Sequence, residues 1–343
     1  MQKRNTVVRF AKTPAPGPLE RDVFTWEQSP IPVPKDGEVL VRTLYLSIDA
    51  GSRAQLDDRG EYVIKAALGS AIISSGGVFQ VVESRHGDWR SGDILATTVA
   101  RWQSYQIVSP IRQLAWRVDP QDGPLTLHLG LLGMVGFTAY IGILEVARPQ
   151  HGETILVSAA AGATGALAGQ FAKIHGARVI GIAGGAQKCA FVKETLGFDD
   201  CIDYQAGDLH QSIRAACPEG IDVYYENVGG GIQQAAFAQM NDFGRIAMCG
   251  MVGQYSGQGA PAGPNLMSVV LKRLKVTGFL ANDHIERHAE FVADATRWYR
   301  EGKLQHHETV TSGLEHIHEA INSLTAGRNF GKQVCRVADV LPY

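Results

Sequence analysis

The sequence predicts an α/β protein of two domains, a barrel-like β domain followed by a doubly wound parallel sheet, and three observations carry that reading. The chain has 343 residues, more than a single domain of roughly 100–200 residues holds. Its first third consists of short apolar runs broken by turns. From Gly152 onward, buried-strand runs alternate with stretches of helical periodicity, the pattern that lays helices on both faces of a parallel sheet.

The elements follow in order. After Met1–Asn5 comes the alternating stretch Thr6-Val7-Val8-Arg9-Phe10. Up to about Ser109, runs such as Glu38–Arg42, Gly77–Val82 and Gly92–Ala96 are spaced as in an all-β barrel. Ala15-Pro16-Gly17-Pro18 and Pro30-Ile31-Pro32-Val33-Pro34 cannot continue a central strand, so they mark loops or edges. The texture changes near Leu125. Thr154-Ile155-Leu156-Val157-Ser158 is a short buried strand ending in a glycine-rich turn. The next segment places Leu167, Phe171 and Ile174 on one helical stripe, and Gly176 can end that helix. Strands at Arg178–Ala183, Ile221–Tyr225 and Arg245–Cys249, with a helix from about Ala186, complete a Rossmann-like pattern.

Composition narrows the function classes. Hydrophobic residues make up 45% and charged residues 19% of the chain, near the averages for globular proteins, so neither disorder nor a fibrous repeat is indicated. The formal net charge is -2 with no dense block of one sign, which gives no support to a nucleic-acid or anionic-membrane partner. The N-terminus lacks the apolar region of a secretory signal, and no run approaches the ~20 apolar residues of a membrane span. The expected compartment is the cytoplasm. Cys189, Cys201, Cys217, Cys249 and Cys335 are scattered and odd in number, as expected of reduced thiols.

The turn after the strand at Thr154 reads Ala160-Ala161-Gly162-Ala163-Thr164-Gly165. This is the dinucleotide fingerprint with alanine in the first glycine position, and its setting between a strand and a helix is the one the pattern requires. A helix N-terminus exposes N–H groups and partial positive charge, so pyrophosphate is held where small residues let the backbone approach. An NAD enzyme places Asp or Glu roughly 20 residues further on for the ribose 2′-hydroxyl. Here the chain has Ala183-Gly184-Gly185-Ala186-Gln187-Lys188. With no carboxylate to repel a 2′-phosphate and Lys188 to pair with it, NADP is favoured over NAD. Metal chemistry is expected to be absent. All five cysteines lie beyond residue 188, no C-x-x-C occurs, and His86 and His128 are the only histidines in or near the β domain. His306, His307, His316 and His318 read as solvated or helix-surface residues.

Together these motifs resemble the medium-chain dehydrogenase/reductase superfamily, and within it the zinc-free prostaglandin reductase (leukotriene B4 12-hydroxydehydrogenase) group of alkenal and enone double-bond reductases. Six blocks carry the likeness: Tyr45–Asp49, Gly133–Tyr140, Gly152–Thr154 running into Ser158–Ala163, Glu226–Gly230, Cys249–Tyr255 and Asn329–Gln333. The resemblance implies a GroES-like β-barrel catalytic domain at residues 1–125, a Rossmann NADP-binding domain at 126–310 and a return to the catalytic domain at 311–343. The active site is expected in the cleft between the domains, and a homodimer is implied. Gly162, Ala163, Thr164 and Gly165 are expected to hold pyrophosphate. Gly184, Lys188 and Tyr204 fall at the adenosine 2′-phosphate end, and Asn227, Cys249, Gly250, Met251, Val252, Tyr255, Phe279, Leu280, Ala281 and Asn329 at the ribose and nicotinamide.

The activity this implies is NADPH-dependent reduction of the C=C bond of an α,β-unsaturated ketone or aldehyde. Hydride added to the β-carbon drives charge onto the carbonyl oxygen, so the site must stabilise an enolate and permit protonation at the α-carbon. Hydrogen-bond donors suffice for this without a metal. Tyr255 matches the tyrosine of its block and is the expected oxyanion donor, since a phenol with a pKa near ~10 is protonated at neutral pH. Two readings compete with it: an NADPH:quinone oxidoreductase and a nucleotide-binding protein without turnover. The chain departs from the group's pattern in Ala50-Gly51-Ser52-Arg53 after Asp49, in Val135, and in Gly185. These changes imply a wider or more polar substrate pocket and a weaker hold on the 2′-phosphate. Tyr62, Trp102 and Tyr105 are candidate pocket residues, although aromatic residues at such positions are more often core.

Overall fold

The computed structural model describes residues 4–57, 65–255 and 261–342; Tyr62 lies outside them. The chain divides into two compact units, one of residues 1–134, 255–257 and 308–343, the other of residues 135–254 and 258–307.

The first unit opens with a hairpin of β1 (Asn5–Phe10) and β2 (Phe24–Ser29). Its main sheet is built on β3 (Val39–Ile48), which is followed by a short helix α1 (Ala50–Ala54). Then come β4 (Ile73–Ser74), β5 (Gly77–Ser84), β6 (Ile94–Thr97), β7 (Ala100–Arg101), β8 (Tyr105–Val108) and β9 (Trp116–Arg117). β3 is buried along most of its length because it pairs with both β5 and β8. Phe10, Phe24, Phe79 and Trp102 fill the space beneath, with the Phe24 and Trp102 rings 5.7 Å apart. Trp102 and Tyr105 are therefore core residues.

The first unit extends past residue 125 to Met134. The 3-10 turn Leu125–Leu129 packs on its sheet, where Leu129 shares an apolar cluster with Leu44, Val78 and Val334. Thr126 Oγ1 also donates to the Glu308 carboxylate at 2.7 Å.

The second unit begins at Val135 within α2 (Met134–Ile141) and continues as β10 (Thr154–Val157), α3 (Ala163–Ile174), β11 (Arg178–Ala183) and α4 (Ala186–Ala190). Then follow β12 (Asp200–Asp203), α5 (Leu209–Ala216), β13 (Ile221–Glu226), α6 (Gly230–Ala238), β14 (Met240–Met248), α7 (Met267–Leu271), β15 (Lys275–Gly278) and α8 (His288–Arg300). All six strands run parallel in the order β12-β11-β10-β13-β14-β15. Strands buried on both faces read as continuous apolar runs, as Ile155-Leu156-Val157 does, and Leu167 and Phe171 turn the buried face of α3 onto the sheet. α8 is anchored by Phe291 and Trp298 against Tyr140 and Phe171. The Tyr140 hydroxyl donates to Asp294 at 2.9 Å. Among the described residues no helix is long and apolar enough to cross a membrane.

The last segment rejoins the first unit from Glu308, slightly ahead of the expected residue 311, as β16 (Glu308–Ser312), α9 (Ile317–Thr325) and β17 (Lys332–Arg336). β17 runs antiparallel to β3, with Gln333 opposite Ile48 and Val334 opposite Ser47. Two blocks from opposite ends of the sequence are thus neighbours in one sheet.

Candidate active site

In an open parallel sheet, ligands bind beyond the carboxyl ends of the strands where the strand order reverses. In the second unit that point lies between β10 and β13: the chain steps outward from β10 to β11 and β12 on one side, and through β13, β14 and β15 on the other. The loops after β10 and β13 are bonded to each other there. Asn227 donates through its backbone N–H to Ser158 Oγ and through Nδ2 to the Ser158 carbonyl, both at 2.7 Å.

Glu226, at the end of β13, is fully buried. Its Oε1 accepts from Ser158 Oγ at 3.0 Å, from the Val228 amide at 2.6 Å and from the Gly229 amide at 3.2 Å. Its backbone carbonyl accepts from the Cys249 and Gly250 amides at 2.9 and 3.1 Å. One residue therefore fixes the loops after β10, β13 and β14. The third loop is held further by Val252 N to Asn227 O and Gly253 N to Val228 O. Met251 packs its methyl group against Gly229.

The glycine turn has the tight geometry its sequence requires. Gly162 caps α3, and Ala159 adopts a left-handed φ of 51°. A Cβ on Gly165 would stand 2.4 Å from the Ala159 carbonyl oxygen, so only glycine lets α3 come this close to the turn. The first amides of a helix have no partner within it, which leaves Ala163, Thr164 and Gly165 as the donors a pyrophosphate needs.

At the end of β11, Gly185 has a φ of +89°, a conformation other residues rarely adopt. Lys188 stands in the first turn of α4 and is half-buried; burial pulls its ammonium pKa below the ordinary lysine value. The Tyr204 ring lies over Gly184, where an added Cβ would meet it at 3.0 Å. Asp203, the carboxylate that ends β12, is engaged by the Gly185 and Gln205 amides at 2.8 and 3.0 Å. The donor set at this end is a lysine, a phenol and glycine backbone, which suits an anionic 2′-phosphate.

On the other side, the Phe279 ring packs against Tyr225 with centroids 6.5 Å apart and abuts Gly142. Leu280 is exposed at 61%, and Ala281 is buried. Tyr225 donates to the Thr138 carbonyl at 3.3 Å, tying the Gly133–Tyr140 block to β13. Tyr255 follows the 3-10 turn Val252–Gln254 and is half-buried; it groups with the first unit, as does Asn329. Asn329 is buried and donates to the Gly331 carbonyl at 2.9 Å.

Of the C-terminal histidines, His307 and His316 are exposed, as expected of solvated residues, while His306 and His318 are partly buried. His318 packs edge-on against Trp26, with ring centroids 6.3 Å apart, and its buried Nδ1 has no hydrogen-bond partner. His307 lies 5.0 Å from the Phe191 ring. His316 is exposed and pairs with Glu319 at 2.9 Å. Among the described residues no three His, Cys, Asp or Glu side chains converge as metal ligands.

The family described as zinc-binding dehydrogenase matches residues 163–298, and that described as N-terminal domain of oxidoreductase matches residues 7–115. The NADPH-dependent curcumin reductase of Escherichia coli is 40% identical over 343 residues, covering 98% of each chain. The NADP(+)-dependent 2-alkenal reductase of Nicotiana tabacum is 39% identical over 303 residues, covering 88% of each. The chain belongs to the medium-chain dehydrogenase/reductases, in their alkenal and enone reductase group. A crystal structure of CurA from Vibrio vulnificus in complex with NADPH superimposes on this reductase with a TM-score of 0.90 at 37% identity, covering 97% of this chain and 99% of that one.

Two features of the reductase escaped sequence reasoning. Glu226 opens the Glu226–Gly230 block, but nothing in a linear sequence says that its carboxylate turns inward to gather three loops. The second is the ion pair of the buried Lys332 with the part-exposed Asp49 in the first unit. Lys332, whose side chain is 2% exposed, donates through Nζ to Asp49 Oδ1 at 3.0 Å and to the carbonyls of Ile48 at 2.6 Å and Gln333 at 2.8 Å. Asp49 also accepts from Ser47 Oγ at 2.6 Å and from Ser75 Oγ. Burial works to raise the Asp49 pKa, but the Lys332 charge and the two hydroxyls outweigh it and hold the carboxyl below its ordinary value. This pair fixes the start of α1, where the Ala50-Gly51-Ser52-Arg53 departure falls.

Proposed function

We propose that this reductase catalyses NADPH-dependent reduction of the C=C bond of α,β-unsaturated ketones and aldehydes. The observation that carries the reading is the bonded set of strand-end loops at the β10/β13 reversal, with Lys188 in place of a ribose-binding carboxylate. The names of the relatives support the same reaction class and cofactor.

Bound NADPH supplies the hydride that reaches the β-carbon. The chain's own residues do the rest. The amides of Ala163, Thr164 and Gly165 and the backbone at Gly162 hold the pyrophosphate. Lys188 pairs with the 2′-phosphate beside Gly184 and Tyr204. Asn227, Cys249, Gly250, Met251, Val252, Phe279, Leu280, Ala281 and Asn329 flank the ribose and nicotinamide, and Glu226 is the positioning residue that keeps three of these loops in register. Tyr255 donates to the carbonyl oxygen as it gains charge and is the candidate source of the α-proton. Chemistry of this kind asks for hydrogen-bond donors rather than a metal, and the described side chains offer no zinc-ligand set.

A homodimer through the β15 edge is part of the proposal. β15 ends its sheet, and Val276 on it is exposed together with Leu266, Met267, Val270 and Leu271 just before it. An unpaired strand edge with an apolar surround is a ready template for pairing with a second copy. The five free thiols support the cytoplasm as the compartment.

The test is NADPH oxidation against a panel of alkenals, enones and quinones, with the products identified. Saturated carbonyl products and a preference for NADPH over NADH support the reading. Turnover of quinones alone, or tight NADPH binding with no turnover, overturns it.

A further inference from the structure

We propose that Cys189 and Cys201 are a redox-modification site that closes to a reversible disulfide when the protein meets a hydroperoxide. The two residues are twelve positions apart, one on α4 and the other on β12, yet the fold brings Cys201 Sγ to 3.1 Å from Cys189 Sγ. A disulfide bond measures about 2.05 Å, so closure needs an approach of only about 1 Å. Both thiols are free, and neither has a part in the proposed reduction. Cys201 is part-exposed and Cys189 is buried.

The chemistry balances with hydrogen peroxide as the oxidant. The Cys201 thiolate attacks one peroxide oxygen, the O–O bond breaks, and the departing hydroxide takes a proton to become water. Cys201 is left as a sulfenic acid. The Cys189 thiolate then attacks the Cys201 sulfur, the S–S bond forms, and a second hydroxide leaves to become water. Two thiols are oxidised and one peroxide is reduced to two waters.

The surroundings set the rate. Burial raises the Cys201 pKa, and Cys189, Asp200 and Asp203 raise it further. Burial also raises that of Cys189, with Asp203 and Asp200 acting in the same sense and Cys201 and Lys193 against it. Lys193 is itself paired with Asp200 at 3.2 Å. The thiolate is the reacting form, so closure is slow at neutral pH and quickens as the pH rises.

The location gives closure a consequence, which rests on the proposed role of Lys188 and Tyr204. Cys189 directly follows Lys188, and Cys201 lies on the strand that leads into Tyr204. The same two segments already meet through Asp203 and the Gly185 amide at 2.8 Å. A covalent link here fixes α4 against β12 and weakens NADPH binding severalfold while leaving NADH binding unchanged. By linkage, bound NADPH disfavours closure by the same factor.

The experiment treats the intact protein with hydrogen peroxide, blocks remaining thiols with an alkylating agent under denaturing conditions, and maps peptides by mass spectrometry before and after reduction. The expected result is a reducible cross-link joining the peptides of Cys189 and Cys201, absent from Cys201→Ser, with three of the five cysteines still alkylated. No cross-link, or only sulfinic acid at Cys201, overturns the proposal. NADPH and NADH titrations of the cross-linked protein, run beside Lys188→Ala, separate the two ideas. Unchanged NADPH affinity after cross-linking overturns the consequence if Lys188→Ala weakens NADPH. If Lys188→Ala has no effect either, it is the reading of the 2′-phosphate end that fails.

Discussion

Replacing Glu226 with alanine removes the acceptor shared by Ser158, Val228 and Gly229 while leaving every backbone bond of β13 in place. Ser158 Oγ loses little, because it already lies 3.3 Å from the Tyr225 carbonyl. The Val228 and Gly229 amides lose their partner, and an orphaned buried donor costs about 1–3 kcal/mol. Water can reach the half-buried Val228, and removing a buried carboxylate whose Oε2 has no partner relieves some desolvation. The balance is a loss of about 2–3 kcal/mol, or a fall of roughly 4–12 °C in the melting temperature of a unit of this size. NADPH affinity should fall as well, because the loops after β10, β13 and β14 lose their common anchor. Glu226→Gln keeps the Oε1 acceptor and gives up only the charge-assisted part, so it should cost less than about 1.5 kcal/mol. Thermal unfolding of the apoprotein and fluorescence titration with NADPH read both effects. An alanine variant that melts with the wild type and binds NADPH equally well would refute the argument that Glu226 positions these loops.

Lys188→Ala should raise the Kd for NADPH by about 10–100-fold, the worth of one charge-assisted bond, and leave that for NADH unchanged; paired titrations check it. His128 accepts from Trp116 Nε1 at 2.9 Å through Nδ1, and burial pulls its pKa down to about 4. The unfolded chain binds that proton near pH 6.5, so the stability is fully present above that value and is lost as the pH falls towards 4. The loss is about 2 kcal/mol by pH 5, and melting curves at pH 7 and 5 should lose that increment in His128→Asn, whose amide oxygen still accepts from Trp116. Val270→Asp places a charge on a side chain 69% exposed beside the β15 edge. Sedimentation should show it shifted to monomer, with the melting temperature of the second unit little changed.

The strands of the second unit were legible because a strand covered on both faces must be apolar throughout. Ile155-Leu156-Val157 and Val179-Ile180 say so directly. β12 and β15 were not, because each lies at a sheet edge and carries polar residues: Asp200-Cys201-Ile202-Asp203 has a single fully apolar side chain, and β15 is mostly exposed. The change of texture near Leu125 does not reveal in the sequence that the apolar side chains of Leu125–Leu129, and Thr126, bind this turn to the first sheet. At the site, the glycine turn and the lysine at the end of β11 could be read locally, because their chemistry resides in consecutive residues. Glu226, the Lys332–Asp49 pair and the Cys189–Cys201 contact could not. Each depends on which residues the topology brings together: Ser158 is 68 residues from Glu226 and Asp49 is 283 from Lys332, while Cys189 and Cys201, though only twelve apart, stand on different elements.

The carbon that receives the hydride decides between C=C and carbonyl reduction. NADPH deuterated at the transferable C4 position of its nicotinamide, incubated with the enzyme and a simple enone, leaves its label in the product for NMR to locate. Deuterium on the β-carbon of a saturated ketone, with a solvent proton on the α-carbon, is the predicted result. Deuterium on a carbinol carbon, with the C=C bond intact, would contradict the account.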